Sequence, residues 1–426
     1  MKRFTKILSL LLIVSLLFSF VGCVQYSRSD AGGGYYAEMA PSSGAESDGA
    51  STEENKNVAL PSGMITAGAW NDNDNYQMWV DLFAQGNEQE EKPEGKFYSY
   101  VKSQKLWGFD SLSRVKVHVT SDGAPVAGAE VIAYGVDESV LFKAVSDASG
   151  NAYLFTSKAY GTVAVSSGEA RAEAKFNADD RDISIELDSC AEKLNVIEMM
   201  FVVDVTGSMG DELRFLQAEL DDVIKKIAVN DAQTVIRLSL LFYRDHGDDE
   251  MSKYCDFVDI TDSNGLKSAL GVLASQTAEG GGDYEEAVDE ALEMAVNAQW
   301  STGATTKLIF HVLDAPAHSG APYEERFNSA VISAAEKGIR INPILCSGAA
   351  EITEYTMRQA AIHTGGTFIF VTDDSGIGGE HHDPGLPNVT VELLNSMLVR
   401  LIKGYHTGTF EDPVYWKDDP ARALNK

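Results

Sequence analysis

Three short stretches in the second half of this sequence gather oxygen donors in a way that suits a hard cation. The first reads Asp204-Val205-Thr206-Gly207-Ser208-Met209. Asp204, Thr206 and Ser208 alternate there, so one carboxylate and two hydroxyls can converge on a point, and Gly207 lets the backbone turn tightly between them. The second reads Gly280-Gly281-Gly282-Asp283-Tyr284-Glu285-Glu286, and the third His311-Val312-Leu313-Asp314-Ala315-Pro316. Hydroxyls joined by a few carboxylates are hard ligands, which predicts Mg²⁺ (or Mn²⁺) in octahedral geometry. An H-E-x-x-H helix, a P-loop and a G-x-S-x-G elbow are all missing from the sequence, so zinc-protease, nucleotide and serine-hydrolase chemistry find no support. A metal-dependent hydrolase would need a general base beside the cation, and His318 is the nearest one in sequence. The expectation is a binding protein, not an enzyme. Glu380-His381-His382-Asp383 also carries metal-ligand types, but a solvated, glycine-bounded loop is the simpler account. Tyr243-Arg244-Asp245-His246 follows a strand end, where it lines the crevice rim or pairs Arg244 with Asp245.

The elements that must position these residues are legible over residues 194–410. Near-continuous apolar runs at 197–203, 235–242, 308–313, 341–345 and 368–371 suit parallel strands buried on both faces. Amphipathic stretches alternate with them: residues 212–228, with Leu213, Leu216, Leu220, Val223, Ile224 and Ile227 at helical spacing, and also 283–298, 323–336 and 391–402. The prediction is an α/β fold, a doubly wound, mostly parallel sheet. With strand order 3-2-1-4-5-6, the first and fourth strands are neighbours. Asp204 and Asp314 then emerge side by side at the carboxyl ends, where such sheets place their sites, with the glycine loop able to reach over them.

These motifs carry a resemblance to the von Willebrand factor type A family. The string DVTGSM resembles that family's metal-ion-dependent adhesion site, usually D-x-S-x-S, with Thr206 in place of the first serine. The strings LSLLFYRDHGDD, AEGGGDYEEAVDEAL and IFHVLDAPAH resemble the branch attached to alpha-kinases and found in many bacterial secreted proteins, although kinase motifs are absent. The resemblance implies that Asp204, Thr206 and Ser208 are metal ligands and that Asp314 is a direct or outer acid. The family's second-loop threonine has no counterpart, and Asp283 or Glu286 takes its place. It also implies a ligand protein whose acidic residue completes the metal's coordination. The alternative is a metal-independent scaffold or assembly component of a cell-envelope complex.

Upstream, the period changes to two. Val115, Val117 and Val119 alternate with polar residues, and turn signals separate further short strands across 113–190, which predicts a small all-β sandwich. Its strings GAPVAGAEVIAYG and SDASGNAYLF resemble carboxypeptidase-regulatory-like, immunoglobulin-type modules. Residues 62–112 form a connecting segment whose Trp70, Trp79, Leu82 and Phe83 are expected to dock on a neighbouring domain. Residues 23–61, rich in Ser, Gly, Ala and acid, predict a flexible tether. Residues 411–426 are a tail. The separate apolar patterns of the sandwich and the α/β domain predict that each folds alone.

Residues 1–22 have the form of a secretory leader: Lys2, Arg3 and Lys6, then an apolar run to Val21, too short for a comfortable membrane span. It ends in Phe20-Val21-Gly22-Cys23, which resembles a bacterial lipobox and makes Cys23 the expected lipidated residue. The mature chain is then a lipoprotein held to the extracytoplasmic face of a bacterial membrane. The formal charge is −30, from 34 basic and 64 acidic residues. That field repels phosphate backbones, so no nucleic-acid partner is expected. Cys190, Cys255 and Cys346 fit no zinc spacing and are expected to be buried and inert, with one disulfide among them as the alternative.

Overall fold

The computed structural model describes residues 24–26 and 60–422, apart from 88, 90, 91, 106, 230–232 and 304. The leader, Cys23 and most of the expected tether therefore lie outside the described residues. In chain order the strands and helices begin with β1 (Val24–Tyr26), β2 (Thr66–Trp70), α1 (Tyr76–Asp81) and α2 (Tyr98–Ser103). A run of strands follows: β3 (Arg114–Ser121), β4 (Ala124–Pro125), β5 (Glu130–Tyr134), β6 (Val140–Val145), β7 (Asn151–Phe155), β8 (Gly161–Ser167), β9 (Ala170–Phe176) and β10 (Asp182–Leu187). Then strands and helices alternate through β11 (Val196–Asp204), α3 (Leu213–Ala228), β12 (Val235–Tyr243), β13 (Ser252–Asp259), α4 (Ser263–Ala274) and α5 (Val288–Val296). The series closes with β14 (Thr306–Leu313), α6 (Tyr323–Lys337), β15 (Ile339–Leu345), α7 (Glu351–Thr364), β16 (Phe368–Val371), β17 (Glu392–Leu393) and α8 (Leu394–Thr407).

The large sheet has nine strands in the order β1-β13-β12-β11-β14-β15-β16-β2-β17. Its centre, from β12 to β16, is parallel and follows the expected order, with β11 paired to β12 on one side and β14 on the other. Both flanks are antiparallel: β13 on β12 and β1 on β13 at one side, β2 on β16 and β17 on β2 at the other. The sheet is therefore mixed. The central strands are buried along nearly their whole length, as their unbroken apolar runs require. Helix α3 lays its apolar stripe on one face of the sheet beside α8, while α5, α6 and α7 cover the other.

Residues 114–187 form two four-stranded sheets, β10-β3-β4 with β7 on β3, and β6-β5-β8-β9. They do not stand apart from the large sheet. One continuous apolar core joins their Val117, Val131 and Phe142 to Phe327 and Val331 of α6 and Tyr355 of α7.

The connecting segment is tied in still more firmly. Glu219, fully buried on α3, accepts backbone N–H groups from Gly63, Met64 and Ile65 at 2.9, 2.7 and 3.0 Å, which fixes the entry of β2 into the sheet. Trp79, Phe83, Phe97 and Tyr100 pack with Tyr355 of α7, and buried Arg358 of α7 bonds Asp72 and Glu354.

Cys346 is buried, as expected, whereas Cys190 is exposed. Cys190 and Cys346 are free, so no bridge joins any two of Cys190, Cys255 and Cys346.

Candidate metal site

The site sits where the sheet's centre ends. Asp204 is the last residue of β11 and is wholly buried. Its Oδ1 accepts the backbone N–H of Thr206 at 2.9 Å and the Thr206 hydroxyl at 2.7 Å, and Thr206 Oγ1 lies 3.1 Å from Ser208 Oγ. The alternation read from sequence therefore does bring Asp204, Thr206 and Ser208 together. Gly207 donates its N–H to Gly280 O at 3.1 Å, and a Cβ on Gly207 would stand 3.2 Å from that same oxygen. The two loops can approach this closely because residue 207 is glycine, while a Cβ on Gly280 would run into the Asp248 carboxylate. Gly280 and Gly281 have φ of +81° and +77°, a region that side chains strain to enter, so the turn over the site is also written into the sequence.

The helix expected over 283–298 begins only at Val288. Ahead of it, Glu286 donates its N–H to Pro316 O at 3.0 Å and bridges to Ala317, which pins the glycine loop to the exit of β14. That anchoring turns the Glu286 side chain inward. It is buried, and so is Asp314, the residue after β14.

Three carboxylate oxygens then stand in the interior with no hydrogen-bond partner: Asp204 Oδ2, Asp314 Oδ1 and Glu286 Oε2. Burial and neighbouring negative charge push their pKa values up. Asp204 rises to about 7, by burial and then by the Asp314 charge. Asp314 rises to about 6, by burial against hydrogen bonding from Ser208. Glu286 rises to about 9, by burial and then by the charges of Asp204, Asp245 and Asp314. Unpaired buried carboxylates are costly unless a cation lies among them. The donor set, three carboxylates with two hydroxyls, fits a hard divalent ion such as Mg²⁺ or Mn²⁺. When bound, such an ion would present an electrophilic centre to an incoming oxygen.

Above these groups lies a cleft of about 390 Å³ walled by Gly207, Gly280–Gly282 and Gly348, with Ser208, Asp283, Tyr284, Glu286 and Asp314 facing it. Tyr284 is half exposed at the rim, and its hydroxyl accepts the Ala350 N–H at 2.9 Å. Asp283 takes the outer position. It is exposed, and its carboxylate lies within 4.8 Å of ligand atoms of Asp245 and His318. Of the two acids left open by the sequence, Glu286 is the buried one and feels the charges of Asp204 and Asp314, whereas Asp283 belongs with Asp245 and His318 to the group of acid and imidazole ligand atoms that, among the described residues, lie within 4.8 Å of one another and could hold an ion.

Tyr243, expected at the crevice rim, lies beneath the site instead, beside His311. The last residue of β12, it is buried within reach of the Asp204 charge, and its hydroxyl lies 3.1 Å from Nε2 of buried His311. Burial drives His311 down to about 3, so the imidazole is neutral. A histidine inside an apolar strand was the available signal. His318, the nearest candidate base, hydrogen-bonds Asp245 at 2.7 Å.

The Glu380–Asp383 loop is not the solvated loop expected. His381 is buried between Glu212 and Asp373, at 2.7 Å from each, and His382 lies 2.6 Å from Glu354. The two imidazoles serve separate carboxylates and share no cation point.

Buried carboxylates at the carboxyl ends of central parallel strands place the candidate site on an α/β domain whose sheet carries helices on both faces. Residues 198–373 match the sequence profile of the von Willebrand factor A domain, and the chain carries that domain. No curated protein matches the sequence. Among solved structures, the chain is similar to the conserved hypothetical protein BatB from Bacteroides thetaiotaomicron, at 13% identity over 49% of this chain and 98% of that one, with a TM-score of 0.33. It is also similar to an aerotolerance-related membrane protein from Bacteroides fragilis NCTC 9343, at 16% identity over 53% and 93%, with a TM-score of 0.27. The pilus adhesin SpaC from Lactobacillus rhamnosus GG, in its open conformation, matches at 10% identity over 65% of this chain and 36% of the adhesin, with a TM-score of 0.36.

Proposed function

We propose that this protein is a membrane-anchored, extracytoplasmic binding protein whose A domain holds Mg²⁺ or Mn²⁺ and captures a protein ligand through an acidic residue of that ligand. Asp204, Thr206, Ser208, Glu286 and Asp314 would hold the ion. The observation that supports this reading is that Asp204, Glu286 and Asp314 are buried at the base of one open cleft, each with an unpartnered carboxylate oxygen, and are near enough for their charges to raise one another's pKa values. The cleft leaves room for a ligand oxygen, and its glycine walls keep protein side chains from filling it. No hydrolytic step is assigned. The lipid anchor at Cys23 and the extracytoplasmic location rest on the leader sequence, which lies outside the described residues; among those that are described, no helix is long and apolar enough to cross a membrane.

The test is thermal melting of the full-length chain in detergent across a Mg²⁺ titration, together with capture of envelope proteins with and without chelator. A metal-dependent rise in melting temperature and chelator-sensitive capture are expected. A flat melting temperature with chelator-insensitive capture would replace this reading with the metal-independent scaffold. The continuous core that joins the small β-sheets, the connecting segment and the A domain favours that second reading, because it presents one broad, fixed surface.

A further inference from the structure

The loops that frame the cleft, residues 205–212, 244–251, 275–286, 314–322, 346–350 and 372–383, hold fifteen carboxylates and a single Lys or Arg, Arg244. Arg244 is committed to Glu250 and Glu279, at 3.7 and 3.3 Å. Beneath this rim the three unpartnered oxygens of Asp204, Asp314 and Glu286 point to a cation. One divalent ion offsets two carboxylate charges, so the loaded site is at best neutral beneath a ring of negative charges. A ligand carboxylate arriving there adds another, inside an acidic ring. Repulsion of that kind opposes binding unless the ligand brings positive charge of its own.

The rim has a place for that charge. Exposed Asp283 stands at the cleft wall with its carboxylate within 4.8 Å of the Asp245 carboxylate, whose other neighbour is His318 at 2.7 Å. Two carboxylates this close, one of them open to solvent, form an acceptor for an ammonium or guanidinium group. We infer that the cleft selects a partner protein segment in which the metal-seeking carboxylate is flanked by lysine or arginine, with the basic side chain docking against Asp283 beside the Asp245 carboxylate. This rests on the metal-dependent reading above and specifies its partner.

The test uses three synthetic peptides, each with one aspartate in a glycine-serine background, flanked by lysines, by serines or by glutamates. Their binding to the full-length chain in detergent is measured by fluorescence anisotropy at saturating Mg²⁺, in low and in high NaCl. The lysine-flanked peptide should bind at least ten-fold tighter than the glutamate-flanked one at low salt, and the gap should narrow as salt screens the rim. Asp283→Asn should shrink the preference while the Mg²⁺-dependent rise in melting temperature persists. Equal or reversed affinities, or no binding by any peptide while that rise is present, would overturn the inference and leave the metal site standing. Loss of the rise in Asp283→Asn, or a second metal equivalent abolished by His318→Ala, would also overturn it, because a cation and not a basic side chain would then occupy the rim. Absence of the rise in the unsubstituted chain removes the metal site itself, and the inference falls with it.

Discussion

Replacing Asp204 by asparagine should destroy metal binding and yet make the metal-free protein more stable. Asparagine keeps the shape and the acceptor that Thr206 uses, but it removes the charge that faces Asp314. In the metal-free fold the Asp204 carboxyl is raised from 3.8 to about 7. An acid whose folded value lies above its unfolded one holds its proton better when folded. Stability is therefore fully present below about pH 4 and is lost as pH climbs toward about 7. At about 1.4 kcal/mol per unit, the ionised group costs the fold about 4 kcal/mol at pH 8. Burying the replacement amide takes back about 1–2 kcal/mol, leaving a net gain of about 2–3 kcal/mol. For a domain of this size that is a rise of roughly 4–10 °C in melting temperature. The assay is calorimetry of wild type and Asp204→Asn in EDTA at pH 5 and pH 8, repeated with Mg²⁺. Wild type in EDTA should melt lower at pH 8 than at pH 5 and recover with Mg²⁺, by about 2.7 kcal/mol at ~100 times the dissociation constant. The variant should melt higher than wild type in EDTA at pH 8 and ignore Mg²⁺. A variant that melts below wild type in EDTA at pH 8 would refute the electrostatic argument.

Glu286→Gln should abolish the Mg²⁺-dependent rise and Asp283→Asn should retain it, as read by the same melts; the opposite pattern would return the interior position to Asp283. Metal affinity should increase from pH 6 to pH 8 as the proton-holding carboxylates are cleared, which isothermal titration at several pH values measures. Cys23→Ala should yield unacylated protein, and equal incorporation of a fatty-acid analogue in wild type and variant would remove the lipid anchor. A fragment of residues 194–426 should aggregate or melt well below one of residues 60–426, because it lacks β2 and leaves Glu219 without the three N–H groups it accepts; equal circular-dichroism melts would restore the expected independence of that fragment.

The central sheet was legible because its signals are local. A buried parallel strand has no polar face, so β11, β14 and β15 stand out as apolar runs, and an aspartate at the end of such a run marks the loop that follows. The flanks were less visible for the same physical reason reversed. Strand β13 is half exposed and mixes Tyr254, Asp256 and Phe257 with no clean period. Helix α7 is buried on every side from Thr353 to Thr364, beneath the aromatic segment and the small β-sheets, and so shows no amphipathic stripe. Its Arg358 and Glu354 read as surface charges in sequence, yet they are buried partners of Asp72, Lys96 and His382. Strand β2 lies more than a hundred residues ahead of the strands it joins, and its pairing with β16 and the Glu219 contact at its entry are both long-range.

The same distinction explains which parts of the site could be foreseen. Donor identity is a property of the loops, and Asp204, Thr206, Ser208 and Asp314 are placed by the strands they terminate. The choice between Asp283 and Glu286 is instead set by two backbone links, Gly207 to Gly280 and Glu286 to Pro316, which pull the far end of the glycine loop down onto the exit of β14. Side-chain chemistry cannot distinguish those two acids, because either could ligate a cation. Backbone hydrogen bonding can, since it buries one and leaves the other at the rim. The two acids therefore differ in what their charge does. Glu286 adds to an interior charge that demands a cation, and Asp283 extends the field that an approaching partner meets first.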